Sequence, residues 1–350
     1  MRFCFIELKL FKVIYICEFV NISFFLLLDS LGRSSENCEM KRIYFIFTLF
    51  IFTSLSLFAK DVKLLTIGNS FAASVFSDLP EIVKDFPDCT LTLRGANHGG
   101  CSFERHWRYI TEEEADQNVC RYGNSSKKAK GTKLKEILAS KKWDFITIQQ
   151  ASPKSWDINT FYPYAENIYN YVRKYSPSAE VIIQQTWSYR CDDPRISKGG
   201  AWGFDQTEMF KRLEANYAEL AKKLNLRVLP TGKAVQNYRA VEKNPFKPFS
   251  KEYLKSFEKP NLPSDKGDIV GRYGWKKDKK TKEFKLKADN IHFNKRGRYM
   301  QACLWFGFFF DKDPLEIKYV PKGISADEAK LLREVASKTL KEFKQPRNSK

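Results

Sequence analysis

Histidine is nearly missing from this sequence: three stand among 350 residues, His98, His106 and His292. That scarcity excludes a histidine-rich metal centre and leaves any mechanism with an imidazole base only three choices. His98, His106 and Glu104 do not make a recognisable metal spacing, so no metal and no cofactor is expected. No Cys-x-x-Cys pair occurs, which excludes a zinc knuckle and a thioredoxin-like site. A phosphate loop is excluded too, because the glycine-rich stretch Gly95 to Ser102 has Cys101 where that loop needs lysine. Acidic charge is in deficit: 60 Lys and Arg against 41 Asp and Glu give a formal charge of +19. Such an excess favours anionic partners without naming one.

With 43% hydrophobic residues the chain can bury a large core, so disorder is not the expectation. Met40-Lys41-Arg42 precedes the apolar run "IYFIFTLFIFTSLSLFA" from Ile43 to Ala59, which has the charge and grease of a secretory signal. Residues 40–59 are read as a signal peptide cut near Ala59, or as a short membrane anchor. Residues 1–39 are read as an upstream over-reading or an extra leader. Either way the body is exported, to the periplasm or beyond, which argues against nucleic acid and leaves membrane contact only to an uncleaved leader. Five cysteines, Cys89, Cys101, Cys120, Cys191 and Cys303, fall in that body. Pairing is expected among Cys101, Cys120 and Cys191, and plain core packing for Cys303.

Beyond residue 60, β-branched runs alternate with helical patterns. Strands are predicted at Val62 to Ile67, Thr90 to Gly95, Asp144 to Gln150, Glu180 to Trp187 and Arg227 to Pro230. Helices are predicted at 161–175, 206–224, 298–310 and 325–343, where apolar residues recur at three- and four-residue steps. Near-continuous apolar strands with helices between them imply a flavodoxin-like parallel sheet of about five strands in a three-layer α/β/α sandwich. One domain is expected from 60 to 344, with a Lys-rich insertion at 241–287 and a frayed tail at 345–350. The insertion is read either as a cover over the substrate or as a solvated loop.

The chemistry gathers at strand ends. "KLLTIGNSFA" stops a buried strand at Gly68-Asn69-Ser70, a turn that can present a hydroxyl. Alanine at 72 denies it the glycine of the α/β-hydrolase nucleophile elbow. "GANHGGCSFERHW" follows the second strand, and Gly99 and Gly100 let backbone N–H groups face a crevice. The third strand ends at Gln149 and Gln150, whose side chains alternate, so one amide faces that crevice. In "ADNIHFNKRG", Asp289 precedes His292 by three residues and can hold the imidazole in the tautomer a serine needs. With strand order 2-1-3-4-5 these pieces converge at the topological switch point.

The ordered set "LLTIGNSF", "GGCSFERHW", "WDFITIQQAS", "QQTWSYR", "LPTGKAVQN" and "DNIHFNKRGRYMQA" resembles the SGNH (GDSL-type) hydrolases, specifically the bacterial branch grouped as DUF4886, over roughly Lys63 to Phe310. The resemblance implies Ser70 as nucleophile with Asp289 and His292 as its partners. It implies an oxyanion hole from the Ser70 N–H, the Gly100 N–H and a side-chain amide. The wider superfamily takes that amide from an Asn after strand three; here it is assigned to Gln150, with Gln149 as the alternative. Gly-Asn-Ser-Phe also replaces the usual Gly-Asp-Ser-Leu. The expected function is an exported serine esterase removing acetyl or other short acyl groups from a carbohydrate, an anionic glycan in particular. Its rival is a glycan-binding protein on the same fold without useful turnover. Asn69, His98 and Trp187 are candidate substrate contacts, and Trp107, Tyr189, Trp202 and Tyr273 could stack on sugar rings or simply pack. His106 is expected to make a structural hydrogen bond.

Overall fold

In chain order the elements are β1 (Lys60–Gly68), α1 (Ser70–Ala73), α2 (Leu79–Val83), β2 (Cys89–Asn97), α3 (Phe103–Ala115), α4 (Leu134–Ala139), β3 (Phe145–Ile148), α5 (Tyr164–Tyr175), β4 (Glu180–Gln184), α6 (Gln206–Leu224), β5 (Arg227–Leu229), α7 (Thr231–Val241), α8 (Lys251–Lys255), β6 (Val270–Lys277), β7 (Phe284–Phe293), α9 (Lys295–Phe310) and α10 (Ala326–Glu342). The computed structural model describes residues 60–123, 131–197 and 199–343, which fall in one compact unit. The leader read at 40–59, the segment 1–39 and the tail 345–350 lie outside the described residues. Among the described residues no helix is long and apolar enough to cross a membrane.

β1 to β5 form one parallel sheet in the order β2-β1-β3-β4-β5. Leu64, Leu65, Ile67, Ile146, Ile148, Ile182 and Ile183 are all buried, as strands covered on both faces require. On one face α9 packs with α2, α7 and α10; on the other α3, α4 and α5 pack together. α9 is apolar nearly all round because it runs through the interior: Tyr299 to Gly307 are buried without a break. The register sets the site. Gly68 lies level with Asn97, and Ile67 with Ile148, so the chain leaves β1, β2 and β3 at one height.

The insertion is more ordered than its composition suggests. It holds α8, β6 and the first four residues of β7, the last two paired as an antiparallel hairpin. Lysine is the commonest of its exposed residues, and no apolar face announced it. Arg190, fully buried, clamps the hairpin: its guanidinium lies 4.0 Å from the Phe246 ring centre and 4.9 Å from that of Tyr273, and its backbone N–H donates to the Asn290 carbonyl at 2.9 Å. Gly271, at φ +94°, leaves room for that guanidinium, which would touch any side chain there. The expected cysteine pairing is corrected: Cys89, Cys101, Cys120, Cys191 and Cys303 are all free thiols, and Cys303 lies in the core as read.

Candidate active site

Ser70 opens the short α1 directly after β1, and its Oγ lies 2.8 Å from His292 Nε2. His292 and Asp289 reach it from β7. In a regular strand, residues three apart point to opposite faces. Here β6 steps from Val270 to Arg272 while β7 steps from Phe293 back to Asp289, so β7 carries two extra residues in a bulge. The bulge turns both side chains together, with His292 Nδ1 at 2.9 Å and 3.1 Å from the two Asp289 oxygens. The backbone N–H groups of Ile291 and His292 also donate to Asp289 Oδ1. Burial works to raise the Asp289 carboxyl. The His292 hydrogen bond and charge, that backbone N–H and Arg272 at 3.3 Å outweigh it and hold the group well below the usual carboxylate range. An ionised Asp289 takes the Nδ1–H, which leaves the Nε2 lone pair facing the Ser70 hydroxyl.

Ser70 and His292 open on a cavity of about 370 Å³ lined also by Gly99, Gly100, Ser152, Pro153, Tyr189 and Arg195. Gly100 sits at φ +60°, a conformation that strains any other residue even though a side chain there would meet nothing. The Ser70 and Gly100 N–H groups have no acceptor among the described residues. Both are open to an oxyanion.

Residues 63–255 match the family described as a domain of unknown function, DUF4886. The chain belongs to this family. The matched span holds Ser70, Gly100 and Gln150 and stops before Asp289 and His292, so the place of those two in the site rests on geometry. A crystal structure of a DUF4886 family protein from Bacteroides uniformis is 23% identical, with 80% of this chain and 95% of that one covered at a TM-score of 0.60; the two share a fold. A member of the lipolytic G-D-S-L family from Veillonella parvula is 12% identical, with 71% and 96% covered at a TM-score of 0.35. An acetyl xylan esterase is 12% identical, with 48% and 76% covered at 0.30. At those scores neither bears on this chain's activity. No curated protein matches the chain.

Several roles expected in this DUF4886 chain change. Gln150 is not an oxyanion donor: its Nε2 donates to the Thr160 carbonyl and hydroxyl, while its Oε1 accepts from Phe103 N–H and Ala151 N–H. It ties the loop after β2 to the turn after β3. Gln149 is fully buried and its Oε1 accepts from the Asn69 N–H, so it sits beneath the nucleophile turn. Asn69 borders the cavity, but its amide donates to the Cys101 and Gln150 carbonyls and its oxygen caps the Phe71 N–H. That amide is unavailable to substrate. His98 turns its ring into a cluster with Tyr109 and Tyr122, 5.1 Å from each, and serves the site through its backbone. Its N–H donates to the Gly68 carbonyl and its carbonyl accepts from Cys101, which closes the Gly99-Gly100 turn. Trp187 is 0% exposed and cannot touch substrate. Tyr273 is buried as well, Tyr189 is buried but lines the cavity, and Trp107 and Trp202 are not among the residues lining it.

His106 is structural. Its Nε2–H donates to the Gly68 carbonyl at 3.0 Å, and its Nδ1 accepts from the Tyr122 hydroxyl at 2.9 Å. Complete burial pushes its pKa down to about 3 from an ordinary 6.5. The folded chain therefore favours neutral His106, and the stability this contributes is present above about pH 6.5 and lost as pH falls toward about 3. Denaturant titrations should show a loss on the order of a few kcal/mol across that window. His106→Gln should flatten that part of the profile; an equally steep profile in the variant would assign the loss to other groups.

Proposed function

We propose that the protein is a serine esterase of the SGNH type, acting outside the cytoplasm on acetyl or other short acyl esters of a carbohydrate. The observation that carries this reading is the continuous chain from Ser70 Oγ through the His292 imidazole to an ionised Asp289, opening on a cavity with unengaged backbone N–H groups. Ser70 Oγ attacks the ester carbonyl as His292 Nε2 takes its proton, and the carbonyl oxygen becomes an oxyanion held by the Ser70 and Gly100 N–H groups. Collapse of that intermediate returns the proton to the leaving alcohol and leaves an acyl-serine. Water, deprotonated by His292, then releases the acid and restores Ser70.

A cavity of about 370 Å³ walled by Pro153, Tyr189 and Ile291 suits a short acyl group. Gly99, Gly100 and Pro153 are exposed at its edge, so a bulky alcohol portion can lie outside. Arg195 in the wall supports an anionic glycan. So does Arg105, which donates to the Gly99 carbonyl and has no acidic partner among the described residues. Export is supported by the apolar run at 43–59. Loss of Gln150 as a donor favours the rival, a glycan-binding protein without turnover. A fluorophosphonate probe separates them: the wild-type chain should label and Ser70→Ala should not. A folded wild-type chain that stays unlabelled while retaining polysaccharide selects the rival.

A further inference from the structure

We propose that the hydroxyl of Ser152 supplies the oxyanion donor that Gln150 does not. This rests on the esterase reading above. The polar side chains lining the cavity are few, and most are already engaged. The Asn69 amide holds two carbonyls, Arg195 directs Nε and Nη2 at Asp193, and His292 is the base. The Tyr189 hydroxyl donates to Ser152 Oγ at 2.9 Å. Ser152 thus accepts one hydrogen bond, and its own O–H has no acceptor among the described residues. A hydroxyl that accepts from a buried phenol is polarised into a better donor.

Its place in the fold agrees. Ser70 leaves the central strand β1, Gly100 follows β2 on one side, and Ser152 follows β3 on the other. A carbonyl oxygen over Ser70 therefore lies between a backbone N–H from the β2 side and a hydroxyl from the β3 side. The turn is also held in advance of the reaction, as a preorganised donor must be. Gln150 Oε1 accepts from Ala151 N–H, the Ser152 carbonyl accepts the Ser155 hydroxyl at 2.9 Å, and Ser155 Oγ accepts from Thr186. Ser152 and Tyr189 are both buried, so water competes weakly for this donor.

The test is steady-state hydrolysis of p-nitrophenyl acetate by the full chain, with the rate of fluorophosphonate inactivation as a second readout. Ser152→Ala is expected to lower kcat by about 100-fold, to leave KM within about twofold, and to slow inactivation in parallel. The pH profile should not move, since His292 and Asp289 are untouched. Tyr189→Phe should give a smaller fall in kcat. Where Ser152→Ala does not fold, Ser152→Cys keeps the shape with a poor donor and should show the same loss. Turnover by either folded variant within about threefold of wild type overturns the assignment while the esterase reading stands, well short of the loss a true donor gives. A wild-type chain that neither hydrolyses the ester nor labels overturns both.

Discussion

Asp289→Asn is expected to lower kcat for a short-chain ester by about 10⁴-fold while leaving the protein folded. The Asn oxygen can still accept the backbone N–H of His292, so the bulge in β7 keeps its main-chain bonds. What changes is the imidazole. A neutral amide can present its N–H to Nδ1, which moves the ring proton to Nε2, where it meets the Ser70 hydroxyl instead of a lone pair. Ser70 then has no acceptor for its proton. Arg272 loses its partner as well, but its side chain is 48% exposed, and an exposed pair of this kind contributes under about 1 kcal/mol. Arg272→Ala should accordingly leave kcat within a few-fold of wild type. A burst-corrected kcat for Asp289→Asn within tenfold of wild type would remove Asp289 from the mechanism, whatever its distance from His292.

The parts legible in the sequence are those whose signal is local. β1, β3 and β4 read as strands because a sheet covered on both faces demands unbroken apolar runs, and Leu64 to Ile67 and Val181 to Ile183 supply them. α6 and α10 were legible from their three- and four-residue periods. The pairing of Asp289 with His292 was legible because so few imidazoles exist to choose from. Its backbone geometry was not: the pair sits on a strand whose bulge depends on pairing with β6. The roles of Gln150 and Trp187 were hidden for the same reason. A glutamine at a strand end reads as a donor, and only Thr160, Phe103 and Ala151, brought together by the fold, occupy all of its hydrogen-bonding capacity. Ser152 ends the stretch "WDFITIQQAS", but nothing in that stretch marks its hydroxyl as a donor. Its signal is the phenol of Tyr189, 37 residues away in the chain and 2.9 Å away in the fold.

Trp187→Ala is expected to destabilise the protein by about 3–5 kcal/mol and to lower kcat beyond what the unfolded fraction explains. The indole lies between Phe71 and Phe293, stacked at 3.8 Å and 7° on one ring and at 3.7 Å and 17° on the other. Phe71 adjoins the nucleophile and Phe293 adjoins the base, and the indole N–H donates to the Ile291 carbonyl at 2.9 Å. One side chain therefore spaces α1 from β7, which is what sets the 2.8 Å between Ser70 Oγ and His292 Nε2. Removing it leaves a cavity between two rings that are tied to separate elements, and either can shift into the space. A displacement of about 1 Å at the reacting atoms is enough to cost on the order of 100-fold in rate. Trp187→Phe keeps a stacked ring and loses only the bond to Ile291, so it should cost about 1 kcal/mol and retain most of kcat. Measuring melting temperature and kcat per folded molecule on both variants divides the contributions. If Trp187→Ala melts early yet turns over normally well below its transition, the stack supports the fold alone and the triad is aligned by the bulge without it.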